Sequence, residues 1–227
     1  MAQRRARGPK PHSFKNKLLL NQWLISLFGI DPLSEHKVSG RNVRPFHFLA
    51  EPIRDAKYEG LDKDNLHYFY HEFVNSHLFW NEHCVLKKEQ ILTFEENIVR
   101  YTQAINEKRQ RPIVWKYFQW LTLLFVEIYL DRFFGDKANL LSSLNSFAEK
   151  FNQHWSEYAD VPLYNEDDLN KLCLQNATGS GKTLLMHVNL LQFRYYSAKY
   201  GKKNDLSRIV LLTPNERLSD QHIAELA

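Results

Sequence analysis

The chain has 227 residues, of which 44% are hydrophobic and 25% are charged, a balance typical of a globular protein and not of a disordered or collagen-like one. Its two cysteines, Cys84 and Cys173, are too few for a disulfide-rich secreted scaffold or a four-cysteine zinc site. No apolar run reaches the roughly 18 residues that a membrane helix needs, so we expect a cytoplasmic protein with no membrane partner.

The positive net charge of +4 is concentrated at the N-terminus, where residues 1–17 hold six basic residues and no acidic one. Like charges and two prolines disfavour packing, so this segment is predicted to be a flexible basic arm. Arg4, Arg5 and Arg7 are candidate nucleic-acid contacts, because arginines neutralise backbone phosphates. A merely solvated tail is the alternative.

Apolar residues recur at helical spacing through residues 18–157, which predicts a mostly helical N-terminal domain. The predicted helices span about residues 20–28, 64–79, 88–109, 112–134 and 140–155. Pro112 suits the first position of the fourth helix, and Gly135 follows its end. Residues 121–126 are apolar all round, so we expect this helix at the centre of the domain.

A second unit is predicted over residues 158–227, after a boundary marked by Pro162 and an acidic cluster. Its predicted elements are a buried strand at 172–174, a helix at about 182–200, a buried strand at 209–212 and a helix from about 216. This order is that of a parallel α/β unit, so the predicted fold class is a helical domain followed by α/β structure.

The segment Ala-Thr-Gly-Ser-Gly-Lys-Thr, residues 177–183, has the composition of a phosphate-binding loop. Its two glycines let backbone amides turn toward phosphate oxygens, and the following helix adds its partial positive charge. Lys182 would reach the β- and γ-phosphates, and the Thr183 hydroxyl would hold Mg²⁺. The candidate nucleotide-binding residues are Thr178, Gly179, Ser180, Gly181, Lys182 and Thr183. The general pattern has glycine where this chain has Asn176.

Residues 176–183, Asn-Ala-Thr-Gly-Ser-Gly-Lys-Thr, resemble motif I of superfamily 2 helicases. Residues 213–218, Thr-Pro-Asn-Glu-Arg-Leu, followed by Gln221, resemble their motif Ia. About 30 residues separate the two motifs, which is room for one helix and one strand. The residues of motif I are most similar to those of the DEAD/DEAH-type branch, which includes Res subunits like those of type III restriction enzymes. The resemblance covers about residues 171–227.

This resemblance implies that residues 158–227 form the opening portion of a RecA-like P-loop domain that uses ATP and Mg²⁺. It implies a nucleic acid as partner, DNA in preference to RNA. Motif Ia contacts the nucleic-acid backbone in that family, so Thr213, Pro214 and Arg217 become candidate contacts. A bacterial restriction or phage-defence system is the implied setting, with its other subunits as further partners.

The residues after Thr183 contain no strand that ends in an Asp-Glu pair, the acidic motif that holds Mg²⁺ in helicases of this kind. Phosphoryl transfer depends on a full set of positioned charges. We therefore expect this chain to be the N-terminal segment of a longer helicase, which alone binds nucleotide weakly and hydrolyses almost none. Two alternatives stay open: another P-loop NTPase or kinase, and a non-catalytic helical module that binds a partner or DNA.

Two other patterns have simpler interpretations. His67 and His71 have a spacing that can hold zinc, but the metalloprotease motif requires glutamate where this chain has Tyr68. The aromatic residues between Trp115 and Phe134 lie at helical spacing beside leucines, which favours a core over base stacking.

Overall fold

The computed structural model describes residues 18–107, 109–155, 160–205, 208–213, 215–217, 219, 220 and 223. The predicted arm, with Arg4, Arg5 and Arg7, lies outside these residues. The described part is mostly helical, as predicted, and its strands form one small antiparallel hairpin.

The α-helices are α1 (Leu19–Ser26), α2 (Pro45–Ala50), α3 (Tyr68–Val74), α4 (Lys88–Asn106), α5 (Tyr117–Gly135), α6 (Lys137–His154) and α7 (Lys182–Lys199). Short 3-10 helices lie at Glu51–Ile53, Ala56–Tyr58, His77–Trp80, Asp168–Asn170 and Lys203–Asp205. The hairpin strands are β1 (His36–Val38) and β2 (Arg41–Val43), with His36 opposite Val43. Residues 216, 217, 219, 220 and 223 are also helical.

Helix α5 lies at the centre of the core, which confirms the prediction made from its apolar sequence. Its residues from Trp120 to Leu130 are buried, with the exception of Thr122. Helices α2, α4, α6 and α7 all contact it. A helix buried on all sides needs apolar residues around its whole circumference, and residues 121–126 provide them.

The start of α5 differs from the prediction, because α5 begins at Tyr117 and not at Pro112. The preceding residues instead run in an irregular path that buries Trp115. Its indole N–H donates to Thr102 Oγ1 at 2.8 Å, and the Ile113 N–H donates to Asn106 Oδ1 at 2.9 Å. These tertiary contacts outweigh the preference of proline for a first helical turn.

Helix α3 is also shorter than predicted, since it spans only Tyr68–Val74 of the expected 64–79. The Asp62 carboxylate accepts the N–H groups of Asp64 and Leu66 at 2.8 and 2.9 Å, which folds the expected helix start into a turn. The chain then extends at Ser76 and restarts as a 3-10 helix.

The two predicted buried strands are wrong. Residues 172–174 and 209–212 pair with no strand among the described residues, and both segments are exposed. Val210 and Leu212 are 73% and 88% exposed. Parallel strands are stable when further strands flank them and helices cover both faces, and two short apolar segments do not meet that condition.

Helix α7 belongs to the same hydrophobic core as α4 and α5. Its buried side chains include Leu185, Val188 and Tyr196, which pack with the residues of α5 in one cluster. The division of the chain at residue 158 stays a prediction. Helix α7, from the second predicted unit, packs in the same core as helices of the first. Within the described ranges, no helix combines the length and the apolar composition needed to cross a membrane.

Candidate nucleotide-binding loop

The predicted phosphate-binding loop has the backbone conformation that its glycines permit. Gly179 and Gly181 adopt left-handed φ angles of 77° and 80°. The Ser180 N–H donates to the Ala177 carbonyl at 3.2 Å and closes a turn between them. Left-handed backbone costs a residue with a Cβ about 1–2 kcal/mol, so the glycines are the residues that suit these two positions.

The loop leads directly into the N-terminus of α7. Gly181 is the residue before the helix, and its carbonyl accepts the N–H of Leu185 at 3.0 Å. The first turn of α7 contains no acidic residue, and no side chain caps it. The free N–H groups and partial positive charge at this end favour an anion.

Lys182 and Thr183 occupy the first two positions of α7. The Lys182 side chain turns back over the loop, with Nζ 3.4 Å from the Ala177 carbonyl oxygen and 3.5 Å from that of Asn176. These hydrogen bonds are long and exposed, so phosphate oxygens can replace them at little cost. The amine thus lies on the side of the loop where Asn176 and Ala177 present carbonyl oxygens.

A cavity of about 560 Å³ adjoins the loop. Asn176, Lys182 and Thr183 line it together with apolar side chains of α5 and α7, among them Leu130 and Leu190. Exposed Leu172 and Leu174 complete its wall. Lys182 and Thr183 are therefore next to a largely apolar cavity that is open to solvent.

Gln119, in the first turn of α5, contacts the loop from the side of the helical core. Its Nε2 donates to the Ser180 carbonyl at 2.9 Å, across 61 positions of sequence. Nothing in the sequence marks this residue as part of a site, because the contact depends on how α5 and α7 pack.

Glu127 of α5 fixes α7 from within the core. This fully buried carboxylate accepts Asn97 Nδ2 at 2.8 Å, Gln192 Nε2 at 2.8 Å and the Tyr196 hydroxyl at 2.7 Å. Burial raises the pKa of Glu127 to about 7, although the three hydrogen bonds favour the charged form. The carboxylate thereby joins α4, α5 and α7 at one point.

Asp131, one helical turn further along α5, holds the C-terminal end of α7. Its carboxylate accepts Lys199 Nζ and the Tyr200 hydroxyl, each at 2.8 Å. Helix α7 is therefore tied to α5 at its middle and at its end, and Gln119 ties the loop that precedes it.

The motif Ia candidates are only partly described. The Thr213 hydroxyl lies 2.5 Å from Ser219 Oγ and donates to the Asn215 carbonyl at 3.0 Å. That carbonyl also accepts the Ser219 N–H at 3.3 Å, which places Asn215 at an N-cap position. Arg217 is exposed, and Pro214 lies outside the described residues.

The two histidines with zinc spacing contact different carboxylates. His67 Nδ1 lies 2.7 Å from Glu95, which also accepts the Trp120 indole N–H, and His71 Nε2 lies 2.6 Å from Asp62. In the part of the chain that the structure describes, no group of three or more His, Cys, Asp or Glu side chains could hold a metal ion.

No protein-family model, curated protein or solved structure matches the chain. Functional assignment therefore depends on the geometry of the loop and on the residue types of its motif.

Proposed function

We propose that this chain binds ATP with Mg²⁺ through residues 178–183, as the nucleotide-binding part of a DEAD/DEAH-type nucleic-acid helicase or translocase. One observation carries the proposal: two left-handed glycines lead into the N-terminus of an 18-residue helix whose first two residues are Lys182 and Thr183. A glycine-rich turn that binds no phosphate does not require a lysine and a threonine at these two positions.

Each loop residue has a role in the proposed site. The amides around Gly179 and Gly181 and the first turn of α7 meet the phosphates. Lys182 leaves the carbonyls of Ala177 and Asn176 and pairs with the terminal phosphates, and the Thr183 hydroxyl binds Mg²⁺. Thr178 and Ser180 supply further polar groups beside the phosphates.

The wider helicase function is supported by the motif Ia resemblance of residues 213–218. In such a protein, residues 158–227 open a RecA-like domain. DNA is the proposed track, and Thr213, Pro214, Arg217 and the arginines of the N-terminal arm are its proposed contacts. Because the residues after Thr183 hold no acidic motif II, this chain alone binds nucleotide without turning it over.

Isothermal titration calorimetry with Mg·ATP tests the proposed site. Lys182→Ala should weaken binding at least about tenfold, because it removes a charge-assisted hydrogen bond to phosphate. Lys171→Ala is the matched control, since Lys171 is an exposed lysine that precedes the loop and has a 3.7 Å ion pair with Asp168. Equal affinity of the wild-type protein and Lys182→Ala would contradict the proposal.

The nucleic-acid partner requires a separate test. Binding of single-stranded DNA should weaken steeply as salt increases, and deletion of residues 1–17 should reduce both the affinity and the salt dependence. Fluorescence anisotropy at several salt concentrations measures both quantities. An affinity that does not change with salt would argue against phosphate contacts by the arginines of this segment.

A further inference from the structure

Gln119 lies between two backbones at the point where the helical core meets the loop. Its Oε1 accepts the Lys116 N–H at 2.8 Å, which caps the start of α5, and its Nε2 donates to the Ser180 carbonyl at 2.9 Å. Both ends of the side-chain amide are thus occupied, which fixes its orientation.

Gly181, the second glycine of the loop, has no side chain, and this leaves room for the contact with Gln119. A Cβ built on Gly181 would lie 2.5 Å from Gln119 Nε2, closer than any real Cβ contact. A Cβ on Gly179 would meet nothing within 4 Å. Gly181 therefore adopts a left-handed φ and also leaves room for the Gln119 amide beside the loop backbone.

The hydrogen bond determines how one peptide unit of the loop is oriented. In a trans peptide the C=O and the following N–H point in opposite directions. Because the Ser180 carbonyl points to Gln119, the Gly181 N–H points away from α5. This N–H belongs to the group of amides that meet phosphate in the proposed site.

We infer that Gln119 is a positioning residue that pre-organises the phosphate-binding loop for nucleotide, so that the helical core sets the nucleotide affinity. This inference rests on the proposed function. The energetic logic is that a loop already held in its binding conformation loses less conformational entropy when ligand binds.

The chain offers a matched control for the capping role of Gln119. Gln90 caps α4 in the same way, with Oε1 accepting the Lys87 N–H at 3.0 Å, and it is exposed. Gln119→Met and Gln90→Met both remove a helix cap, and only the first removes a loop contact. Gln119→Glu retains an oxygen for the cap and removes the donor to Ser180.

The first readout is the affinity of the protein for fluorescently labelled ADP in the presence of Mg²⁺. Gln119→Met should bind this probe about fivefold more weakly than the wild-type protein, which corresponds to one neutral hydrogen bond, and Gln90→Met should bind it equally well. Lys182→Ala is included to identify binding at the loop. Unchanged affinity in Gln119→Met, beside a loss in Lys182→Ala, overturns the inference and leaves the proposed function intact.

The second readout is amide hydrogen exchange at residues 177–183 without nucleotide, which decides the inference even if the wild-type protein does not bind the probe. Exchange in this segment should increase in Gln119→Met and Gln119→Glu and stay at the wild-type level in Gln90→Met. Equal exchange in all four proteins overturns the inference. Absence of probe binding to the wild-type protein refutes the proposed function and the effect of Gln119 on nucleotide affinity, and the exchange measurement then decides whether Gln119 orders the loop.

Discussion

Glu127 combines complete burial with three hydrogen-bond donors, from Asn97, Gln192 and Tyr196. Burial removes the carboxylate from water, and this cost exceeds the gain from the donors, so the pKa is raised from 4.5 to about 7. The folded protein therefore holds a proton at Glu127 over a pH range in which the unfolded chain releases it.

This proton makes stability depend on pH in a defined direction. Below about pH 4.5 the carboxyl is protonated in both states, and above that value the unfolded chain loses its proton first. The free energy of unfolding should therefore fall as pH rises from about 4.5 to 7, by about 3 kcal/mol in total. Urea unfolding at pH 5 to 8 measures it, and the decrease should be absent from Glu127→Gln. Parallel pH profiles for the two proteins would contradict this.

The two loop glycines should differ in their tolerance of alanine. Gly179→Ala imposes only a left-handed φ, at about 1 kcal/mol, whereas Gly181→Ala also displaces the Gln119 amide. The free energy of unfolding should thus fall further for Gly181→Ala. When Gln119 is also replaced by alanine, Gly179→Ala and Gly181→Ala should lower the free energy of unfolding by similar amounts. If Gly181→Ala costs as much in the Gln119→Ala protein as in the wild-type protein, contact with Gln119 is not the cause of its cost.

The contact between α5 and α7 is an element-scale feature built from polar pairs inside an apolar core. Glu127 and Asp131 are four residues apart on α5. Glu127 accepts hydrogen bonds from buried Gln192 and Tyr196 of α7, and Asp131 accepts one from part-buried Tyr200 at the end of that helix. These hydrogen bonds are directional, so a change of register between α5 and α7 would break them and leave a buried carboxylate without its donors. The position of the loop on α5 is fixed accordingly.

Tyrosine-to-phenylalanine substitutions should separate the buried pair from the partly exposed one. Tyr196→Phe removes a buried donor to Glu127 and should lower the free energy of unfolding by about 1–2 kcal/mol. Tyr200→Phe removes a donor to Asp131 that is only part-buried, and its effect should be near 0.5 kcal/mol. Denaturant titration at constant pH compares the two variants. Equal losses would show that burial does not set the strength of these bonds.

The helices were predictable where amphipathic periodicity is strong, as in α4, which spans Lys88–Asn106 against a predicted 88–109. The loop was predictable for a similar reason, because Gly-x-Gly-Lys-Thr encodes its conformation locally. The start of α5 was not, because buried Trp115 and its bond to Thr102 override the signal of Pro112. The Gln119 contact has no local signal, since it joins segments far apart in sequence. The prediction of the two strands was wrong because strand formation depends on neighbouring strands and on the packing of the sheet, which a short apolar segment does not determine by itself.

At the scale of the whole molecule, the described surface carries an apolar segment of four consecutive residues, 209–212. Its members are 37% to 88% exposed, and two of them are β-branched. Exposed segments of this composition pair readily with other chains. The molecule should therefore self-associate as its concentration rises.

Val210→Lys should raise the concentration at which association begins, because it places a charge in the middle of this segment. Val85→Lys is the control, since Val85 is comparably exposed, at 59% against 73% for Val210, and lies outside the segment. Static light scattering over a concentration series measures the onset. An unchanged onset in Val210→Lys would place the association elsewhere on the surface.

The shared core of α7 with α4 and α5 has a consequence for how ligand binding can be detected. Because α7 cannot detach without exposing the centre of the molecule, a ligand held by its N-terminus stabilises the entire helical body. The melting temperature of the protein should rise with the logarithm of ligand concentration, in one cooperative transition. Ligand binding at six loop residues can therefore be detected as a change in the thermal stability of the protein.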